Sequence, residues 1–119
     1  MPNPFGAPEV TVQEIARRRR ADETFVWLDV READELATVA IPDPQVTHVP
    51  MSRLARERTA CLPADAQAQD AEIVVFCHHG IRSAQVVAWL RGQGWSNAFS
   101  MAGGVDAWAH EVDPSIGAY

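Results

Sequence analysis

The sequence predicts a single α/β domain with a mostly parallel central sheet of about five strands and helices on both faces. Three observations lead there. Short β-rich apolar runs at 25–30, 46–49, 73–76 and 98–101 alternate with segments of helical periodicity, which calls for crossover connections. The strongest run, Ile73-Val-Val-Phe76, is apolar at every position, as a central parallel strand covered on both faces requires. The 119 residues give room for one core.

Taken in order, residues 1–8 contain three prolines and a glycine and read as a flexible arm preceding a domain over 9–119. Thr11-Val-Gln-Glu14 has the spacing of a capping box, and Val12, Ile15 and Ala16 mark one face of a short helix. Arg17 to Arg20 end that helix, where cations suit the negative end of its dipole. Phe25 to Val30 is a buried strand, Glu32 to Thr38 a short helix, and Pro42-Asp-Pro44 a loop. Val46 to Val49 is a second strand closed by Pro50, after which Ser52 is expected to cap a helix running to about Cys61. Residues 63–71 form a loop. Ser83 to Gln93 is helical, with Ala84, Val87 and Leu90 on one face and glycines 92 and 94 ending it. A last strand at 98–101 precedes Gly103-Gly104, which opens a helix carrying Val105, Trp108, Ala109 and Val112 inward.

Composition narrows the chemistry. The chain is 47% hydrophobic and 22% charged, with a net charge of −6, which argues against a nucleic-acid partner. The longest apolar stretch, Ile73 to Cys77, is far shorter than the ~20 residues that a membrane span requires. The expected location is the cytoplasm, where the two cysteines, Cys61 and Cys77, are free thiols.

Ligands of parallel sheets gather beyond the carboxyl ends of the strands, so the loop leaving the central strand is the candidate site. It reads Cys77-His-His-Gly-Ile-Arg-Ser83. Gly80 permits the unusual dihedral that lets the backbone N–H groups of 78–83 curl around the Cys77 sulfur. The helix that follows points its positive end at the same place, and both effects favour the thiolate. Arg82 is placed to fork onto an anionic donor or to brace the loop. His78 and His79 line the mouth. Adjacent residues in a curled loop rarely converge on one ion, so no metal is expected there. Asp29 and Arg31 read as a structural ion pair with Glu35 nearby, and Trp89 as the tryptophan placed to meet a partner.

Three segments together resemble the rhodanese-like sulfurtransferase family: Leu28-Asp-Val-Arg-Glu32 with Glu35, Cys77 to Ser83, and Gly103-Gly-Val-Asp-Ala-Trp108. Their order and spacing agree from about Glu9 to Val112. Val39 to Val46 departs from the family pattern by keeping Ile41 and Pro42 while lacking a histidine and two glycines. The resemblance implies a single-domain sulfurtransferase without metal or organic cofactor. Cys77 would take sulfane sulfur from a small donor such as thiosulfate and pass it from a persulfide to a thiol, cyanide or protein acceptor. Cys77 and Arg82 are the expected catalytic residues, and His78, His79, Gly80, Ile81 and Ser83 the substrate-binding ones. Related phosphatases and arsenate reductases on this fold carry a loop one residue longer than Cys-x4-Arg, and the shorter cradle implies sulfur as cargo. The alternative is a binding or sulfur-sensing module with little turnover.

Overall fold

A computed structural model describes residues 3–119. Five strands, β1 (Glu9–Val10), β2 (Val26–Asp29), β3 (Val46–His48), β4 (Ile73–Phe76) and β5 (Ala98–Met101), form one sheet in the order β1-β5-β4-β2-β3. All neighbours run parallel. Between them lie α1 (Val12–Arg20), α2 (Ala33–Thr38), α3 (Met51–Glu57), α4 (Ile81–Gly92) and α5 (Gly104–Glu111). The strand that sequence reasoning counted but did not locate is β1. Two residues are too few to show alternation, and β1 is fixed only by pairing with β5.

Alternation along the strands divides the core. Trp27, Val74, Phe76 and Met101 face α1 and α5, packing with Val12, Ile15, Val105 and Trp108. Leu28, Ile73, Val75 and Cys77 face the other side, with Leu54 of α3 and Ala84, Val87 and Leu90 of α4. The loop after β4 therefore emerges beneath one face and in the middle of the sheet.

Several local expectations need correction. Pro50, not Ser52, is the cap residue of α3, because its extended backbone leaves its carbonyl free to accept from Arg53 and Leu54. Ser52 lies in the first turn and donates its hydroxyl to Glu32 instead. The helix also stops at Glu57, where Arg58 turns to φ +56° and a 3-10 turn completes the segment to Cys61. Within 63–71, a further 3-10 turn covers Ala64–Ala66. Thr11 does cap α1 by accepting from the Glu14 N–H, but the Glu14 carboxylate turns to Arg17. At the end of α1, Arg18 and Arg19 do more than meet the dipole: they pair with Glu72 and Asp43, respectively. Of the segment read as a flexible arm, Met1 and Pro2 lie outside the described residues. Over 3–8 it is held against the domain: Asn3 accepts from Phe5 and Ala7, Ala7 is buried, and the Pro8 carbonyl accepts from Ser100.

Candidate active site

Cys77 follows β4 directly and is buried, with 1% of its surface exposed. Its Sγ accepts from the N–H of Gly80 at 3.2 Å and of Ser83 at 3.3 Å. Gly80 stands at φ +99°, and from there α4 begins at Ile81, two residues earlier than its apolar pattern indicates. The Ser83 amide thus belongs to the first turn of α4, and the helix adds its positive end to the cradle. Behind the sulfur, the Ser83 hydroxyl lies 3.5 Å from Sγ and 2.8 Å from the Ser100 hydroxyl of β5.

What turns the loop amides inward is the start of α5. Its first-turn N–H groups, from Val105 and Asp106, donate to the carbonyls of Cys77 and His78 at 2.8 and 3.0 Å. With those carbonyls drawn outward, the following N–H groups face the sulfur. Gly104, at φ +58°, is what allows the approach, since a Cβ there would collide with the Cys77 carbonyl oxygen. The paired glycines of 103–104 therefore have a mechanical purpose in shaping the loop.

Arg82 uses its fork on neither the loop carbonyls nor an open mouth. Its Nη1 and Nη2 donate to the two oxygens of Glu35 at 2.7 and 2.8 Å. That guanidinium, opposed by burial, holds the Glu35 carboxyl down at about 2. Glu35 also accepts from the Tyr119 hydroxyl at 3.0 Å and the Glu32 N–H at 3.0 Å. The expected Asp29–Arg31 pair is present and fully enclosed, with Arg31 0% exposed and its Nη2 2.7 Å from Asp29. Arg31 donates also to the Tyr119 hydroxyl, so that phenol joins the two pairs. The His48 ring lies 2.7 Å from the Arg31 carbonyl.

At the mouth, the His78 ring is sandwiched between His79 at 3.8 Å and Tyr119 at 3.7 Å, the latter nearly parallel to it at 6°. Burial, aided by His79, lowers the His78 pKa below its ordinary value, so at neutral pH it carries no charge. Ile81 projects outward, half exposed. Asp106 supplies what the sequence did not offer the histidines, a nearby acidic neighbour: one ligand atom from each of His78, His79 and Asp106 lies within 4.8 Å of the others.

Sequence reasoning thus placed Cys77, His78, His79, Gly80, Ile81, Arg82 and Ser83 in one loop, and the structure brings Glu35 to it. It missed Ser100, Asp106 and Tyr119. Only Asp106 had a signal, its place beside the glycine pair; Tyr119 belongs to no pattern. Trp89 lines an apolar groove of about 190 Å³ with Met51, Leu54 and Val86. Cys61 is a free thiol that donates to the Arg58 carbonyl, and burial raises its pKa.

A parallel five-stranded sheet with a cysteine cradled by amides at the end of its central strand defines the class. The rhodanese-like domain profile matches residues 11–111, and the chain belongs to that family. It is 30% identical over 108 residues to a sulfurtransferase from Allochromatium vinosum, covering 91% of this chain and 94% of that one. Among solved structures it resembles a rhodanese-related protein from Thermoplasma volcanium, with TM-score 0.70 and 30% identity over 88% of this chain and 93% of that one. The human single-domain sulfurtransferase TSTD1 superposes with TM-score 0.71 at 25% identity, over 89% and 98% of the two chains. No helix among the described residues is long and apolar enough to cross a membrane.

Proposed function

We propose that this protein is a sulfurtransferase that carries sulfane sulfur as a persulfide on Cys77. The observation that carries the reading is the pair of N–H groups, from Gly80 and Ser83, aimed at a buried Sγ. In the first half-reaction the Cys77 thiolate attacks the sulfane sulfur of a small donor, for which thiosulfate is the simplest representative. The donor's S–S bond breaks, and the leaving group departs with its electron pair as sulfite. The persulfide sits where the loop amides and the first turn of α4 stabilise its negative charge without reorganising. In the second, an acceptor thiol or cyanide attacks the outer sulfur and returns Cys77 as thiolate. The Ser83 hydroxyl, itself 2.8 Å from that of Ser100, lies 3.5 Å from the sulfur, where it can donate to the thiolate. His78, His79 and Ile81 line the approach, and Arg82, fixed on Glu35, is a positioning residue for the loop. The sulfurtransferases among its relatives support the same reading.

The test is formation of thiocyanate from cyanide and a sulfane donor. Turnover is expected in the native protein and its loss in Cys77→Ser. No turnover with any sulfane donor would favour a sulfur-sensing or binding module instead.

A further inference from the structure

Cys77 is buried, so every reactant reaches its sulfur past the groups that cover the loop. One of these lies outside the stretch that defines the family: the profile matches residues 11–111, and the segment after α5 returns to the mouth. Asp113 accepts from the Ser115 N–H and opens a 3-10 turn over Pro114–Ile116, and Ile116 rests against the core cluster that holds Trp27 and Trp108. Gly117 then turns at φ +84° and ψ −174°, a conformation that is essentially glycine's alone. A Cβ there would meet nothing closer than ordinary contact, so the dihedral and not lack of space calls for glycine. The turn sends Tyr119 back over the loop, where it reaches both ends. Its ring lies 3.7 Å from that of His78, the residue after Cys77. Its hydroxyl accepts from Arg31 and donates to Glu35, whose carboxylate holds Arg82 at the far end. Gly117 and Ala118 between them are exposed, and a narrow cleft lined also by Val39 and Val105 remains beneath. Residues 114–119 are thus a strap, anchored at Ile116, spanning a gap and pinned again at Tyr119.

We propose that Tyr119 is a specificity-determining residue that selects the reactants of Cys77 by width. With the strap down, its ring walls the His78 side of the mouth and leaves passage for slender molecules. A wide reactant meets Cys77 only when the strap swings out about Gly117. Tyr119 acts by occupying space and takes no proton. Two hydrogen bonds and a ring stack are enough to favour the closed strap by about tenfold or more, and a reactant that requires the open one is slowed by that factor. That the molecules passing the strap carry sulfur rests on the sulfurtransferase reading.

Access can be measured apart from sulfur chemistry by alkylating the full chain with two uncharged reagents, slender iodoacetamide and the wider N-cyclohexylmaleimide. Labelling at Cys77 and at Cys61 is followed separately by peptide mass. In Tyr119→Ala the ratio of the maleimide rate to the iodoacetamide rate at Cys77 is expected to rise about tenfold. Gly117→Ala leaves every side chain at the mouth in place, yet should raise the ratio in the same direction, because alanine disfavours the turn that returns Tyr119 to His78. Buried Cys61 is the control for general loosening, and its labelling should not change. An unchanged ratio in the two variants would overturn the proposal, as would a rise matched at Cys61. So would a Tyr119→Ala variant that slows both reagents alike, because Tyr119 would then be a brace without influence on selection. The same selection should appear in transfer: discharge of sulfur-loaded Cys77 by glutathione, relative to cyanide, should rise about tenfold in Tyr119→Ala. Failure of the native protein to load from any sulfane donor would overturn the sulfurtransferase reading, while the alkylation ratios would still decide on the strap.

Discussion

The loops that leave β2 and β4 start side by side, since Asp29 and Phe76 are register partners. They are held by different physics. After β4, the loop is shaped by main chain: two carbonyls drawn onto α5, two amides turned onto sulfur, and glycines where no Cβ fits. After β2, it is held by side-chain charge, with the enclosed Asp29–Arg31 pair below and Glu35 above, reaching across to Arg82. A loop of amides suits a site that must accept negative charge without supplying a counter-ion that competes for it. A loop of paired charges supplies rigidity and leaves no field of its own. The chemistry is assigned to the first and its bracing to the second.

Breaking the charge pair should produce the largest loss of stability. Asp29→Asn strands the enclosed Arg31 cation, and removing one partner of such a pair costs about 3–5 kcal/mol. A fall of that size in the unfolding free energy from urea titration is expected, while folded material at low temperature still takes up sulfur. If uptake vanished in folded protein, the two loops would not be separable as described.

Next comes the main-chain loop. Gly104→Ala puts a Cβ against the Cys77 and His78 carbonyls, which as backbone have no easy way to yield. A displacement of about 1 Å at the reacting atom is expected to slow sulfur loading on the order of 100-fold. Kinetics of loading in Gly104→Ala, alongside its circular dichroism, separate this from simple unfolding.

A smaller effect links the two loops. Glu35 has a pKa lowered from 4.5 to about 2 by its bond to Arg82, so the native state binds its proton less readily than the unfolded chain. The stability this contributes is fully present above about pH 4.5 and is lost as pH falls towards 2. The difference in urea midpoint between the native protein and Glu35→Gln should therefore be widest near neutrality and shrink through the acid range. A constant difference would mean that the Glu35 charge does not matter to the fold.

The smallest expected effect is at Cys61. Its thiol bonds the Arg58 carbonyl, and burial disfavours its thiolate. Cys61→Ser should leave sulfur loading within about twofold, as expected of a packed cysteine outside the reaction. A larger loss would make it a second participant.

Much of the cradle was legible because glycine marks where backbone must do something unusual. Gly80 and Gly104 announced the turn at the sulfur and the opening of α5. Four of the five strands were also readable: β4 because a parallel strand covered on both faces is apolar throughout, and β2, β3 and β5 as short β-rich runs between helical segments. The charge network was only half readable. Asp29 and Arg31 are two residues apart and declared themselves, but Glu35 and Arg82 are 47 residues apart and meet only through strand order. Likewise, the choice for Arg82 between an anionic donor and bracing the loop stayed open, because sequence gives a residue's charge without its partner. Tyr119 was invisible, since its position depends on a tail crossing the mouth and on stacking with His78. Ser52 failed as a cap for a more local reason: Pro50 had already supplied the extended residue that starts α3.

The central claim is that Cys77 bears the transferred sulfur, and intact-mass measurement after incubation with excess sulfane donor tests it directly. The account predicts one added sulfur on the native protein, removed by cyanide and absent from Cys77→Ser. An unchanged mass, or an adduct that persists in Cys77→Ser, would contradict it.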